Sequence, residues 1–179
     1  AGLRLEGESR APYFVDYDND GDMDLYLTFA WSPNRLFDND GTGTFTDVTA
    51  AVGLGRHRDM THEAVWFDMD GDGLLEVYTA HFGPWPDGKV PEIGKQNFNA
   101  GPNRLYRHRL VGGQHVFDDI GAEAGVDDRG WTHAVGTWDA DGDGRPDLLS
   151  LNDFARGHLY RNLGDGRFAE ASLELGLEP

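Results

Sequence analysis

The chain of 179 residues sets 32 acidic side chains against 15 Lys and Arg, a formal net charge of −17 at pH 7. That sign speaks against a nucleic-acid backbone or an anionic membrane surface as partner and suits metal cations. The absence of cysteine excludes disulfides, thiolate metal sites and cysteine nucleophiles, and no apolar run approaches the roughly 18 residues of a membrane-spanning helix.

In chain order, a short apolar strand, PYFV (12–15), leads into DYDNDGDMD (16–24), where aspartate takes every second position. Carboxylates ~5 Å apart in water repel by roughly 0.8 kcal/mol per pair, so the stretch calls for a cation. β-favouring segments follow at DLYLTF (24–29), NRLF (34–37) and GTFTDV (43–48), with NDGTG (39–43) as a hairpin turn. DVTAAVGL (47–54) has room for one helical turn. The same order returns as AVWF (64–67), DMDGDGLLE (68–76), EVYTAHF (76–82), NRLY (103–106) and HVFDDI (115–120). It returns again as VGTW (135–138), DADGDGRPD (139–147), DLLSLND (147–153), GHLY (157–160) and GRFAEA (166–171), with LGDGR (163–167) as the turn. AEASLELGL (169–177) offers a second helical turn.

The expectation is an all-β array of three units, each a four-stranded antiparallel meander. The units span about 1–51, 52–123 and 124–174, with 175–179 opening a further one. The second is lengthened by a Gly- and Pro-rich insertion at 82–100, a feature that is either functional or merely tolerated. Because AGL (1–3) and LGL (175–177) mark the same point of the repeat, the chain reads as a segment of a longer array.

Each loop carries acids at positions 1, 3, 5 and 9, and Gly21, Gly73 or Gly144 at position 6 for the sharp turn. Several charged oxygens and no histidine suit a hard, large cation, and Ca²⁺ accepts 6–8 oxygens in flexible geometry. One Ca²⁺ per loop, about three in all, is expected. The pattern argues against an EF-hand, because position 12 is Leu27, Thr79 or Ser150 where a bidentate Glu belongs.

Outside the loops, His62 and His133 each precede a loop by six residues, with Arg10 in the matching place of the first unit. They either cap the first strand or line a central channel. Trp66, Phe67 and Trp138 are expected between units as core. Trp85 and Phe98, in the insertion, form either a contact surface for sugar or protein or a plug over unit two. Asp128, in the connecting segment GVDDRG, is expected to matter less to stability than the loop acid Asp141. HEAVW (62–66) is not H-E-x-x-H, and no G-x-S-x-G or phosphate loop occurs.

The run D-x-D-x-D-G-x-x-D/E, strand, N-x-L-Y/F and G-x-G-x-F resembles the FG-GAP/VCBS repeat over nearly the whole chain. Its "GDGxF…GL" version is similar to proteins with an ASPIC/UnbV domain. The literal FG and GAP tags are weak, echoed only by Phe82-Gly83 and Gly101-Pro102. The resemblance implies one β-propeller blade per unit, as in integrin α heads, with calcium in the loop between the first two strands. Carried over by position, the implied ligands are Asp16, Asp18, Asp20, the carbonyl of Asp22, and Asp24. The second set is Asp68, Asp70, Asp72, the carbonyl of Leu74, and Glu76. The third is Asp139, Asp141, Asp143, the carbonyl of Arg145, and Asp147.

Three blades fall short of the usual four to eight of a closed ring, so the remaining blades are expected from a longer parent or from other chains. The expected function is a calcium-stabilised binding or scaffold module for protein or glycan, outside the cell or in the periplasm, without catalysis. The other reading is the propeller domain of a polysaccharide lyase or another carbohydrate-active enzyme.

Overall fold

Among the described residues of this computed structural model, twelve strands pair only with their neighbours in sequence, giving three separate four-stranded antiparallel sheets. The structure describes residues 2–3, 5–83, 90–93 and 95–177. The first sheet holds β1 (Glu8–Val15), β2 (Asp24–Ala30), β3 (Arg35–Asn39) and β4 (Phe45–Asp47). The second holds β5 (Thr61–Phe67), β6 (Glu76–His81), β7 (Arg104–Val111) and β8 (Gln114–Asp119). The third holds β9 (Thr132–Trp138), β10 (Asp147–Asn152), β11 (His158–Asn162) and β12 (Phe168–Glu170). Among the described residues helix is confined to single turns, α1 (Thr49–Val52) and α2 (Gly121–Ala124), and one 3-10 turn at Leu54–Arg56.

This is the expected all-β architecture, and each acidic loop joins the first two strands of its sheet. The second strands are buried along their length in the first two sheets because both of their faces are covered. β5 lies between β1 and β9 and contacts both, so the first strands of the three sheets follow one another side by side.

Packing between sheets explains the apolar flanks of the loops. Val15, Tyr17, Tyr26 and Leu36 of the first sheet share a core with Val77, Tyr106 and Phe117 of the second. Phe67, Met69, Tyr78 and Leu105 of the second meet Leu148, Tyr160 and Phe168 of the third. Trp66 packs edge-on against Tyr26 and Phe117, at 5.2 and 5.8 Å between ring centroids. Trp138 departs from expectation and is 46% exposed. It holds the place of Phe67 in its own sheet, and among the described residues no further sheet covers that face.

The recurrent asparagine of the NRL segments has a definite task. Asn34 accepts the Phe29 N–H at 3.0 Å and donates to the Tyr26 hydroxyl at 3.0 Å. Asn103 does the same with His81 N–H at 2.8 Å and the Tyr78 hydroxyl at 3.0 Å. The amide thereby satisfies the end of the second strand where the ladder runs out.

The far half of the insertion is tied to the third sheet. Asn97 N–H donates to Phe154 O at 2.8 Å, Gln96 accepts from Arg156 N–H at 2.7 Å, and Asn99 accepts from the Trp131 indole at 2.8 Å. Ala100 is fully buried, Phe98 is 53% exposed, and Trp85 lies outside the described residues. Length alone predicts that trimming 82–100 leaves folding intact. These contacts predict instead that the trimmed chain melts lower in calcium, whereas Phe98→Ala melts unchanged. A trimmed chain with wild-type melting would show that 96–100 contribute nothing.

Candidate metal centres

The ninth-position acid opens the second strand and is almost wholly buried: Asp24 and Glu76 are 0% exposed and Asp147 is 1%. Each spans the same two backbone donors. Asp24 accepts from Tyr17 N–H at 3.1 Å and Asn39 N–H at 2.8 Å. Glu76 accepts from Met69 at 2.8 Å and His108 at 3.2 Å, and Asp147 from Ala140 at 2.9 Å and Asn162 at 2.8 Å. The carboxylate thus pins the start of its loop to the third strand. The longer Glu76 reaches the same donors as the aspartates.

The first-position acid folds the turn. Asp16, Asp68 and Asp139 accept the N–H of Gly21, Gly73 and Gly144 at 3.2, 3.0 and 2.9 Å. All three glycines have positive φ, between 84° and 94°, where a side chain is strained.

These two anchors and the third-position acid converge. In Asp16–Asp18–Asp24, Asp68–Asp70–Glu76 and Asp139–Asp141–Asp147, one carboxylate oxygen from each residue lies within 4.8 Å of the others. Asp16 Oδ1 and Asp70 Oδ1 are buried without a hydrogen-bond partner. An orphaned, desolvated carboxylate oxygen is costly unless a cation meets it, so the donor set fits a hard metal.

The fifth-position acids behave differently. Asp20, Asp72 and Asp143 each accept the N–H two residues on, from Asp22, Leu74 and Arg145, at 2.9, 2.8 and 2.9 Å. Asp72 and Asp143 stand apart from the converging trios, whereas Asp20 joins a further one with Asp18 and Asp38.

Asp38 belongs to a position in the third strand that sequence inspection overlooked. Its counterparts are Arg107 and Arg161, and both reach into their own loops. Arg107 pairs with Asp70 at 2.6 Å and Arg161 with Asp141 at 2.9 Å. The first loop therefore faces an additional carboxylate where the other two face a guanidinium. The signal lay two residues beyond the recurring Leu of "RLF", "RLY" and "HLY", in the charge change from Asp to Arg.

Burial pushes Asp24 up to about 6 and Glu76 up to about 7, against the lowering pull of their backbone donors. Asp18 and Asp38 are also raised, first by burial and then by neighbouring acids. The loops hold their negative charge under stress.

His62 and His133 come together on the adjacent strands β5 and β9, with ring centroids 4.7 Å apart and Phe82 beside both. Burial, then His133 and Arg10, lowers the His62 pKa. Arg10 itself pairs with Glu8 at 2.9 Å.

No helix among the described residues is long and apolar enough to cross a membrane. A family model, FG-GAP-like repeat, matches residues 16–79 and 139–177, more than half of the chain. No curated protein matches it.

Proposed function

The chain belongs to the FG-GAP-like repeat family, whose repeats form propeller blades, and we propose that it is a calcium-stabilised binding and scaffold module. It works outside the cytosol, at a cell surface or in the periplasm, where weak loop sites meet enough calcium. Its partners are protein chains or glycans, and its role is to hold rigid blades that present their connecting loops. The observation that carries this reading is the threefold recurrence of the converging carboxylates at positions 1, 3 and 9. The fifth-position acids and the carbonyls of Asp22, Leu74 and Arg145 complete the proposed shells.

Calorimetric titration of the metal-free protein should find one ion per loop, with the first loop tightest. An extra carboxylate instead of an arginine is a difference of about one tenfold step or more in affinity, ~1.4 kcal/mol. Asp38→Arg should weaken the tightest step, and Arg107→Ala should strengthen a weak one. No heat from calcium at all defeats the calcium assignment; three identical steps defeat only the ranking.

Calcium uptake should also release protons near pH 6. Asp24 and Glu76, with values of about 6 and 7, are partly protonated there in the metal-free fold, and the cation must displace those protons. Affinity therefore rises with pH through that window and levels off above it. Melting temperature against pH is a poor substitute readout. His81 and His108, each lowered to about 4 chiefly by burial, add stability as pH rises, while the raised carboxylates remove it. Titration enthalpies in buffers of different ionisation heat isolate the proton count, and buffer-independent heats at pH 6 would contradict it.

A further inference from the structure

In antiparallel sheets the connections alternate between two ends, so the segments opposite the acidic loops form a face of their own. A cavity of about 470 Å³ opens there between the first two sheets, within the size range of small-molecule sites. In a chain of net charge −17, its wall carries Arg56, His57, Arg58 and Arg104 beside a single acid, Asp59. Arg104 is committed to the fold, donating to Asp59 at 2.6 Å and Asp119 at 2.7 Å. His57 lies 3.4 Å from Asp119, and burial followed by Arg104 lowers its pKa. Arg56 and Arg58 are exposed, and among the described residues neither pairs with a carboxylate. Arg56 and Arg58 thus each bring a side chain without an ion-pair partner to the lining of one cavity.

The rim carries Trp31, 48% exposed. Its backbone is left-handed at φ 60°, a conformation that bulky residues avoid. The Trp31 N–H bond to Asp59 O at 3.0 Å fixes it there. Strain that leaves an indole half in water serves packing poorly and serves a contact surface well. Gly83 and Gly101, bonded to each other at 3.3 Å across the root of the insertion, line it together with Met60 and His81.

We propose that this cavity binds an acidic sugar, a uronate whose carboxylate sits between Arg56 and Arg58 and whose ring stacks on Trp31. Guanidinium forks match carboxylate geometry, and an aromatic face beside them supplies the apolar contact that a bare anion lacks. The proposal rests on the reading of the protein as a binding module but not on its calcium.

The test uses the calcium-loaded chain and three probes: a glucuronic-acid-containing disaccharide, a neutral glucose disaccharide and inorganic sulfate, each followed by calorimetry. The acidic disaccharide should bind at least tenfold tighter than the other two and weaken with salt. The Arg56→Ala/Arg58→Ala double variant and Trp31→Gly should each lose at least tenfold in that affinity. Neither should melt lower, since the arginines are exposed and glycine accepts the left-handed backbone. Equal binding of the neutral sugar, sulfate matching the acidic sugar, or unchanged affinity in both variants would overturn the site. Sugar binding that survives the variants would still leave a binding module, with its recognition surface elsewhere. Loss of calcium-dependent melting, in contrast, would leave this cavity untouched.

Discussion

Melts in excess EGTA and in millimolar calcium should differ by roughly 15 °C or more. An ion that binds only the folded chain stabilises it by about 2.7 kcal/mol at a hundredfold excess over Kd. For a domain of this size each kcal/mol moves the midpoint by roughly 2–4 °C, and three loops contribute. The structure adds a reason for the metal-free protein to be weak. Asp16, Asp18 and Asp24 hold oxygens within 4.8 Å of one another, and one buried oxygen of Asp16 has no partner. Magnesium should substitute poorly, because it demands a strict octahedron and keeps its waters. Coincident melts with and without chelator would remove calcium from the account and leave the sheets to stand on packing alone.

The loops were legible because their information is local: acids on alternate positions and a glycine at the sixth can be found without knowing any distant contact. The strands before and after them were legible for the same reason, through apolar runs and turn residues. What stayed hidden depends on residues far apart in sequence. Arg107 is 37 positions from Asp70, and the contact forms only once the third strand lies beside the loop. Trp138 looked like Phe67 in its local setting, yet its exposure depends on what lies against the next face. The anchoring of 96–100 on the third sheet joins segments some 60 positions apart. No periodicity within the insertion announces it.

Asp128 is the largest reversal, and Asp128→Ala should lower stability by about 3 kcal/mol or more with calcium present or absent. Its place in a connecting segment led to the expectation that it matters less than Asp141, but its side chain is only 2% exposed. The carboxylate accepts Gly130 N–H at 2.9 Å, the Ser150 hydroxyl at 2.9 Å and the Asn152 amide at 2.7 Å. Asn152 in turn accepts from Thr132 at 2.8 Å, and Thr132 accepts from Asn103 of the second sheet at 2.7 Å. One anion thus organises the buried polar seam between two sheets, and its removal strands several donors at once. Asp141→Ala acts on different physics. In calcium it removes a proposed ligand and should lower the melt. In EGTA it removes one of three crowded acids together with a partly exposed Arg161 pair, and it should leave the melt nearly unchanged. Asp128→Asn, which keeps an acceptor for Gly130, should recover part of the loss. An Asp128→Ala protein that melts with the wild type in both conditions would show that the seam is satisfied without its charge.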